Sequence, residues 1–242
     1  MDNYKKNSLL YKGKAKEMFS TNKPNTLWVH YMDQVTALNG KKKVKFANKG
    51  KIDCNISSFI FNDLTQHGIK NHFIKKIDDN NQLVKKVNII PLETVIRNFA
   101  SGSIQKRFNL LYLTKFKKPI IEFYYKSDKL DDPFINDSEI QTLEIANKDQ
   151  LTLMKTYILK INKRLSKIFS EMNISLIDFK VEFGIDENNK LILADEISPD
   201  SCRLVDKKTK KSLDKDVFRK ESGSLTKAYQ EILKRLKEVE IA

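Results

Sequence analysis

Apolar and polar positions alternate over residues 178–203, DFKVEFGIDENNKLILADEISPDSCR, in two runs separated by a polar break, the period of a β-hairpin. Asn188-Asn189 can adopt the positive φ of a two-residue turn. With that turn Lys190 faces Glu187, Leu193 faces Gly184, and Asp195 faces Glu182. Phe179, Val181, Phe183, Ile185, Ile192 and Ala194 then share an apolar face, while Lys180, Glu182 and Asp195 share the polar one. Directly opposed residues have Cβ atoms roughly 5 Å apart, so two acids there repel unless something cationic joins them. Two arrangements meet that need. One is Mg²⁺, which takes one or two protein carboxylates and completes its shell with water and phosphate oxygens; the other is Lys180 as counter-ion. The hairpin alone leaves both open.

A 3.6-residue period marks three helices. Residues 52–67 carry the stripe Ile52, Ile56, Phe59, Ile60 and Leu64, with Gly68 just past the end. Residues 148–172 carry Leu151, Met154, Ile158, Ile161, Leu165, Ile168, Phe169 and Met172, with Asn147 as N-cap and Gln150 reaching back. Residues 225–239 close the chain. Strands are expected at 8–20, as two short runs around KGKAK, and at 26–32, 69–77, 82–90, 93–98 and 120–125. Residues 33–40, 126–137 and 213–224 read as loops. The first ninety residues thus form an antiparallel sheet with one helix, and Pro91 marks a boundary between lobes.

At 242 residues with 40% hydrophobic content, the chain can bury one large core or two smaller ones sharing a cleft. No apolar run approaches the ~20 residues of a bilayer span, and the N-terminal stretch lacks a secretory pattern, so a cytoplasmic protein without a membrane partner is expected. Cys54 and Cys202 stand in no metal-ligand spacing. A net charge of +14 admits nucleic acid. The lysines, however, are spread along the chain among Asn and acids, without zinc-finger spacing or an RNP-like motif, so no nucleic-acid partner is expected.

Two segments could bind anions. In KGKAK, Lys12, Lys14 and Lys16 project to one side if the segment is extended, and Gly13 permits close backbone approach, although a Walker A frame is missing. Ser101-Gly102-Ser103 reads as a tight turn into a short helix, where free N–H groups, the Ser103 hydroxyl and Arg97 would form a pocket; an ordinary N-cap serine is the commoner use of the pattern.

Taken together, YKGKAKEMFST, LVKKVNIIPLETVIRNFASGSIQKRF, DDPFIND, and DFKVEFGI with LADEISPDSCRLVD and LDKDVFR resemble, in order and over nearly the whole chain, the SAICAR synthetase family. The resemblance implies an α+β, two-lobed fold, with a β-rich N-terminal lobe over 1–90, a larger α+β lobe over 91–242, and ATP in the cleft. It implies a purine-biosynthetic ligase that joins the carboxylate of CAIR (carboxyaminoimidazole ribotide) to the amine of L-aspartate, with Mg²⁺, by way of an acyl phosphate. In that scheme Lys12, Gly13, Lys14, Ala15 and Lys16 hold ATP phosphates, and the backbone from Val87 to Ile89 holds adenine. Glu182 and Asp195 hold the metal, and Lys180 lies near the transferring phosphoryl group. Arg97, Ser103, Asp132, Asp200, Arg203, Lys215 and Arg219 bind substrate. A homodimer is also implied. The chain departs from the family pattern at 36–40, in the basic run 41–45, and at Phe99; the residues of the L-aspartate pocket stay unassigned.

Overall fold

A computed structural model describes residues 3–37 and 42–241. The N-terminal lobe is built from β1 (Lys6–Lys12), β2 (Lys16–Thr21), β3 (Thr26–Tyr31), β4 (Gln34–Ala37), β5 (Lys42–Lys45), α1 (Lys49–Gln66), β6 (Phe73–Lys76) and β7 (Asn81–Lys85). Five of these strands form an antiparallel sheet in the order β1-β2-β3-β7-β6. β4, inside the segment 33–40 read as loop, pairs with β5, in the basic run, as a separate hairpin; the intervening 38–41, with part of that run, lie outside the described residues. Ile52, Ile56, Ile60 and Leu64 of α1 are all buried. The helix stops as its sequence indicates: Gly68 takes φ 74°, and the Gly68 and Ile69 N–H groups bond back to the Thr65 and Leu64 carbonyls.

KGKAK is a turn, not the extended run that would align its lysines. The Gly13 N–H donates to the Lys16 carbonyl at 2.8 Å, and β1 folds back on β2 with Lys12 opposite Glu17. A Cβ at Gly13 would stand 3.2 Å from the Tyr11 ring and 3.3 Å from that carbonyl, so the turn favours a residue without a side chain.

The chain leaves the first sheet after Lys85 and enters the second at β8 (Asn88–Phe99). Pro91 lies inside β8, where the β8–β11 register shifts between Glu93 and Ile89, so its missing N–H costs no ladder bond there. There follow α2 (Ser103–Arg107), β9 (Lys115–Tyr125), β10 (Phe134–Ile135), α3 (Asp137–Thr142), α4 (Lys148–Glu171), β11 (Ile174–Ile185), β12 (Leu191–Ala194), β13 (Cys202–Asp206), α5 (Asp216–Arg219) and α6 (Leu225–Ile241). The sheet order is β10-β9-β8-β11-β12, with β13 also paired to β11. α4 packs on β8 and β11, and its N-terminus carries the expected capping box of Asn147 and Gln150. α5 interrupts a segment read as loop and α3 begins where the loop read over 126–137 ends; with four and six residues they are too brief to show a period.

The central hairpin differs from its sequence reading by one position. The connection has three residues, with Asp186 paired to Lys190 and Asn189 at φ 57°, so Glu182 stands opposite Ala194 rather than Asp195. β11 is also longer than one hairpin needs: β12 covers its C-terminal half, and β13 its N-terminal half. Flanked by β8 on its other side, β11 is the central strand, and Phe179, Val181 and Phe183 lie in one continuous core with α4 and α6.

Candidate active site

Three neighbouring strands write the site onto one face of the second sheet. β11 contributes Asp178, Lys180 and Glu182 at alternate positions, spanning about 13 Å at ~3.3 Å per residue. β8 sets Arg97 opposite Asp178 and Glu93 opposite Glu182. β9 adds Glu122 and Tyr124, and Lys126 follows directly after it.

At one end lies an arginine–aspartate cluster. Arg97, 3% exposed, donates to Glu122 at 2.6 Å, Asp178 at 3.0 Å, the Ser103 hydroxyl at 3.0 Å and the Tyr124 hydroxyl at 3.2 Å. Arg203, from β13, donates to both Asp178 oxygens at 3.1 and 3.0 Å. Its Nε lies 3.4 Å from Asp216 and is buried without a hydrogen-bond partner. Gly102 permits this packing, because a Cβ there would come within 2.8 Å of the Arg203 guanidinium.

At the other end lysines and carboxylates interleave. Lys126 Nζ lies 2.5 Å from both Glu182 oxygens, Lys180 reaches Glu93 at 2.6 Å, and Lys16 crosses from the N-terminal lobe to Asp195 at 2.5 Å. Asp195 takes φ 64°, just past the end of β12. This left-handed residue brings Asp195 beside Glu182 although the ladder does not oppose them. Burial and the neighbouring Asp195 charge hold the Glu182 carboxyl above its usual range. For Asp195 burial acts in the same sense, but Lys16, Lys180 and Lys126 outweigh it and drive its pKa well down. Of the two arrangements the sequence left open, the counter-ion is shared: Lys126 and Lys16 bond the acid pair directly, while Lys180 hydrogen-bonds Glu93 and acts on the pair through its charge. Among the described residues no three His, Cys, Asp or Glu side chains gather as a metal cage. Two neighbouring carboxylates, Glu182 and Asp195, are nevertheless the oxygen donors that Mg²⁺ takes from protein. The lysines here are already matched by carboxylates, so any further anion adds uncompensated negative charge that a divalent ion would answer.

The remaining residues fall into place around this row. Lys14 bonds to Asp128 at 2.7 Å across the cleft, and Lys12 pairs locally with Glu17 at 2.6 Å. The three KGKAK lysines therefore diverge to three acids. The Ala15 carbonyl accepts from the Met32 N–H. Val87, on the connection between the sheets, packs against Gly184, and Ile89 is exposed near the start of β8, paired with Gly184. The Asp132 carboxylate accepts the Ser127 N–H and shapes its own loop. The Asp200 side chain is buried, bound by Lys49 at 2.5 Å and by the Tyr229 hydroxyl at 2.6 Å, with Lys215 3.7 Å away. Arg219 donates to Asp216 at 2.7 Å, beside Arg203. Sequence reasoning did not single out Asp178, Glu122, Tyr124, Glu93, Lys126 or Lys49. Of these Asp178, Glu93 and Glu122 carried a signal, as charged residues within strands otherwise largely apolar.

The fold that carries this row of paired charges is shared with solved ligases. The fold matches a crystal structure of phosphoribosylaminoimidazole-succinocarboxamide synthase from Ehrlichia chaffeensis with TM-score 0.93 and 45% identity, over 95% of this chain and 98% of that one. A SAICAR synthetase solved in complex with ADP matches with TM-score 0.91 and 43% identity, over 93% and 96%. The phosphoribosylaminoimidazole-succinocarboxamide synthase of Lactiplantibacillus plantarum is 57% identical over 98% of both chains. The SAICAR synthetase family profile covers residues 9–236. The chain belongs to the SAICAR synthetase family, the carbon–nitrogen ligases of that step in purine biosynthesis.

Proposed function

We propose that the protein joins the carboxylate of CAIR to the amine of L-aspartate while converting ATP to ADP and phosphate. The observation that carries this reading is the ordered row on β11, with an arginine-bound Asp178 at one end, Glu182 beside Asp195 at the other, and Lys180 between them. The identities given above and the ADP bound to one relative support it.

In this reading Lys14 and Lys16, on the turn that Gly13 closes, take the ATP phosphates, the lysines exchanging Asp128 and Asp195 for phosphate oxygens, and the backbone from Val87 into the start of β8 at Ile89 takes adenine. The ribotide phosphate lies by Ser103 and Arg203, whose planar forks and hydroxyl suit its oxygens. Arg97 is already saturated by Glu122, Asp178, Ser103 and Tyr124, and so fixes the shape of that pocket. The bound ribotide directs its carboxylate along β11 toward Lys180. A carboxylate oxygen attacks the γ-phosphorus and ADP departs. The aspartate nitrogen then adds to the acyl carbon, phosphate leaves, and the nitrogen loses its proton. Phosphate departs where the bare carboxylate would have to expel oxide. Glu182 and Asp195 would hold Mg²⁺, which supplies charge neutralisation on the phosphates. Lys126 and Lys180, fixed before substrate arrives, contribute the same without reorganisation.

The site is fed by soluble small molecules; among the described residues no helix is long and apolar enough to cross a membrane. A cytoplasmic homodimer is the assembly we assign, testable by sedimentation. The function is tested by ADP release from purified protein with Mg²⁺, ATP, CAIR and L-aspartate, omitting each in turn. Release should require all four; ATP turnover indifferent to CAIR or to aspartate overturns the assignment.

A further inference from the structure

Arg97, Ser103, Tyr124 and Glu122 meet in one hydrogen-bonded group at the arginine end of the row. Arg97 Nη2 donates to the Ser103 hydroxyl at 3.0 Å and to the Tyr124 hydroxyl at 3.2 Å. The two hydroxyls lie 3.2 Å apart, and the Tyr124 hydroxyl also lies 3.1 Å from Glu122 Oε2. Tyr124 thus has two acceptors within reach and one proton to give. Both contacts exceed the usual O–H···O length of about 2.7–2.8 Å, so neither holds that proton firmly.

The surroundings fix what each member can do. Burial raises the Glu122 carboxyl, but Arg97 and Arg107 outweigh it and hold it below its usual range, so it stays ionised and can only accept. It keeps the Arg97 Nε bond at 2.6 Å and a bond from Arg107 whichever way the Tyr124 proton turns. The Tyr124 ring is braced, because β10 sets Phe134 opposite it and the two rings meet edge-on at 5.9 Å. Ser103, the first residue of α2, is exposed, whereas Arg97 and Glu122 are buried. Without a ligand, Tyr124 gives its proton to Glu122 and Ser103 gives its own to Tyr124. When an anionic oxygen takes the Ser103 hydrogen bond, Tyr124 can turn its proton from Glu122 to Ser103. Every hydroxyl keeps a partner in both arrangements, and only two O–H bonds rotate.

We propose that Tyr124 is a positioning residue that holds the Ser103 hydroxyl and turns its own proton toward it when Ser103 donates to a phosphate oxygen of the ribotide. Tyr124 does not touch that phosphate. Arg203 supplies charge to the same phosphate and Tyr124 supplies none, so the effect of Tyr124 passes through Ser103 alone. The ribotide role rests on the function proposed above, whereas the contact between the two hydroxyls does not.

The test is a double-mutant cycle in the full-length protein with Tyr124→Phe, which keeps the ring against Phe134, and Ser103→Ala. CAIR binding, followed by calorimetry without ATP, should weaken about 3- to 10-fold in Tyr124→Phe, the range for one neutral hydrogen bond. In the Ser103→Ala background the same change should cost less than about 2-fold further. A merely structural ring would weaken binding equally in both backgrounds; that additive result overturns the proposal, as does an unchanged affinity in Tyr124→Phe. If Tyr124→Phe does not fold, Tyr124→Leu gives the same comparison. Urea unfolding of the same four proteins without ligand tests the contact separately. The two changes should depart from additivity by at least about 3-fold in the unfolding equilibrium constant, and strict additivity there overturns the contact. A wild-type protein that binds no CAIR refutes the function proposed above and the ribotide role with it, while the unfolding cycle still decides the contact.

Discussion

Gly102→Ala is the sharpest test of the arginine–aspartate cluster. Gly102 combines φ 63° with ψ −132°, open to glycine and strained for other residues. An added Cβ would stand 2.8 Å from one Arg203 nitrogen and 3.0 Å from the other and from the guanidinium carbon. Ordinary contact begins near 3.4 Å, so the guanidinium must retreat by about 0.6 Å. Its bonds to Asp178, at 3.0 and 3.1 Å, are already at the long end for a charge-assisted pair and would lengthen or re-aim. The backbone strain costs about 1–3 kcal/mol. For a chain of this size that lowers Tm by roughly 2–12 °C. A misplaced charge-assisted contact to the ribotide phosphate costs a further ~1.5–3 kcal/mol, an increase of about 10- to 150-fold in KM for CAIR with KM for ATP nearly unchanged. Thermal unfolding and steady-state kinetics in both substrates measure the two effects separately. A lowered Tm with an unaltered KM for CAIR would refute the role of Arg203, and an unaltered Tm would refute the strain argument.

Glu182→Gln keeps the shape of the side chain and removes its charge; unfolding should stay within about 1 kcal/mol of wild type while kcat falls at least ~100-fold, and retained turnover with retained Mg²⁺ dependence would refute the metal assignment. Lys49→Met leaves Asp53 and Asp200, bound at 2.8 and 2.5 Å, buried without their shared cation. Urea unfolding should show a loss of about 3–5 kcal/mol, and a loss below 1 kcal/mol would show that the acids have other partners. The Thr209 N–H, with help from Arg235 and against the opposing effect of burial, holds the Asp206 carboxyl down at about 2 from an ordinary 3.8. A depressed carboxylate stabilises the fold above its unfolded pKa and loses that contribution as pH falls through the folded value. Asp206→Asn should therefore cost about 2 kcal/mol at pH 7, and the gap to wild type should close between pH 4 and pH 2; a gap constant across that window refutes the linkage.

How far the chain can be read without its structure follows from how local each signal is. The α4 capping box, the glycine stop of α1 and the stripes of α1, α4 and α6 depend on residues three or four apart, and each element formed where its pattern lies. The family motifs likewise persist as short strings, and they identified the SAICAR synthetases before any contact was known. The site's side chains were legible in part for the same reason: alternation along β11 placed Lys180 and Glu182 on one face.

Pairing between distant segments was not legible. Two asparagines admit either a two- or a three-residue loop, and the choice, made here by Asp186 closing on Lys190, moves every partner by one position. The lysines of KGKAK diverge because a turn replaces the extended run, and their acids lie as far away as Asp128 and Asp195. Likewise, no periodicity could pair Arg97 with Glu122 and Asp178, or place Lys49 between Asp53 and Asp200. By itself the sequence determined the elements, the family and the kinds of group the site contains, because those are encoded within a few residues of one another. Tertiary structure alone decided which charge meets which, since a buried ion pair is chosen by the packing of separate strands and by one left-handed residue at Asp195.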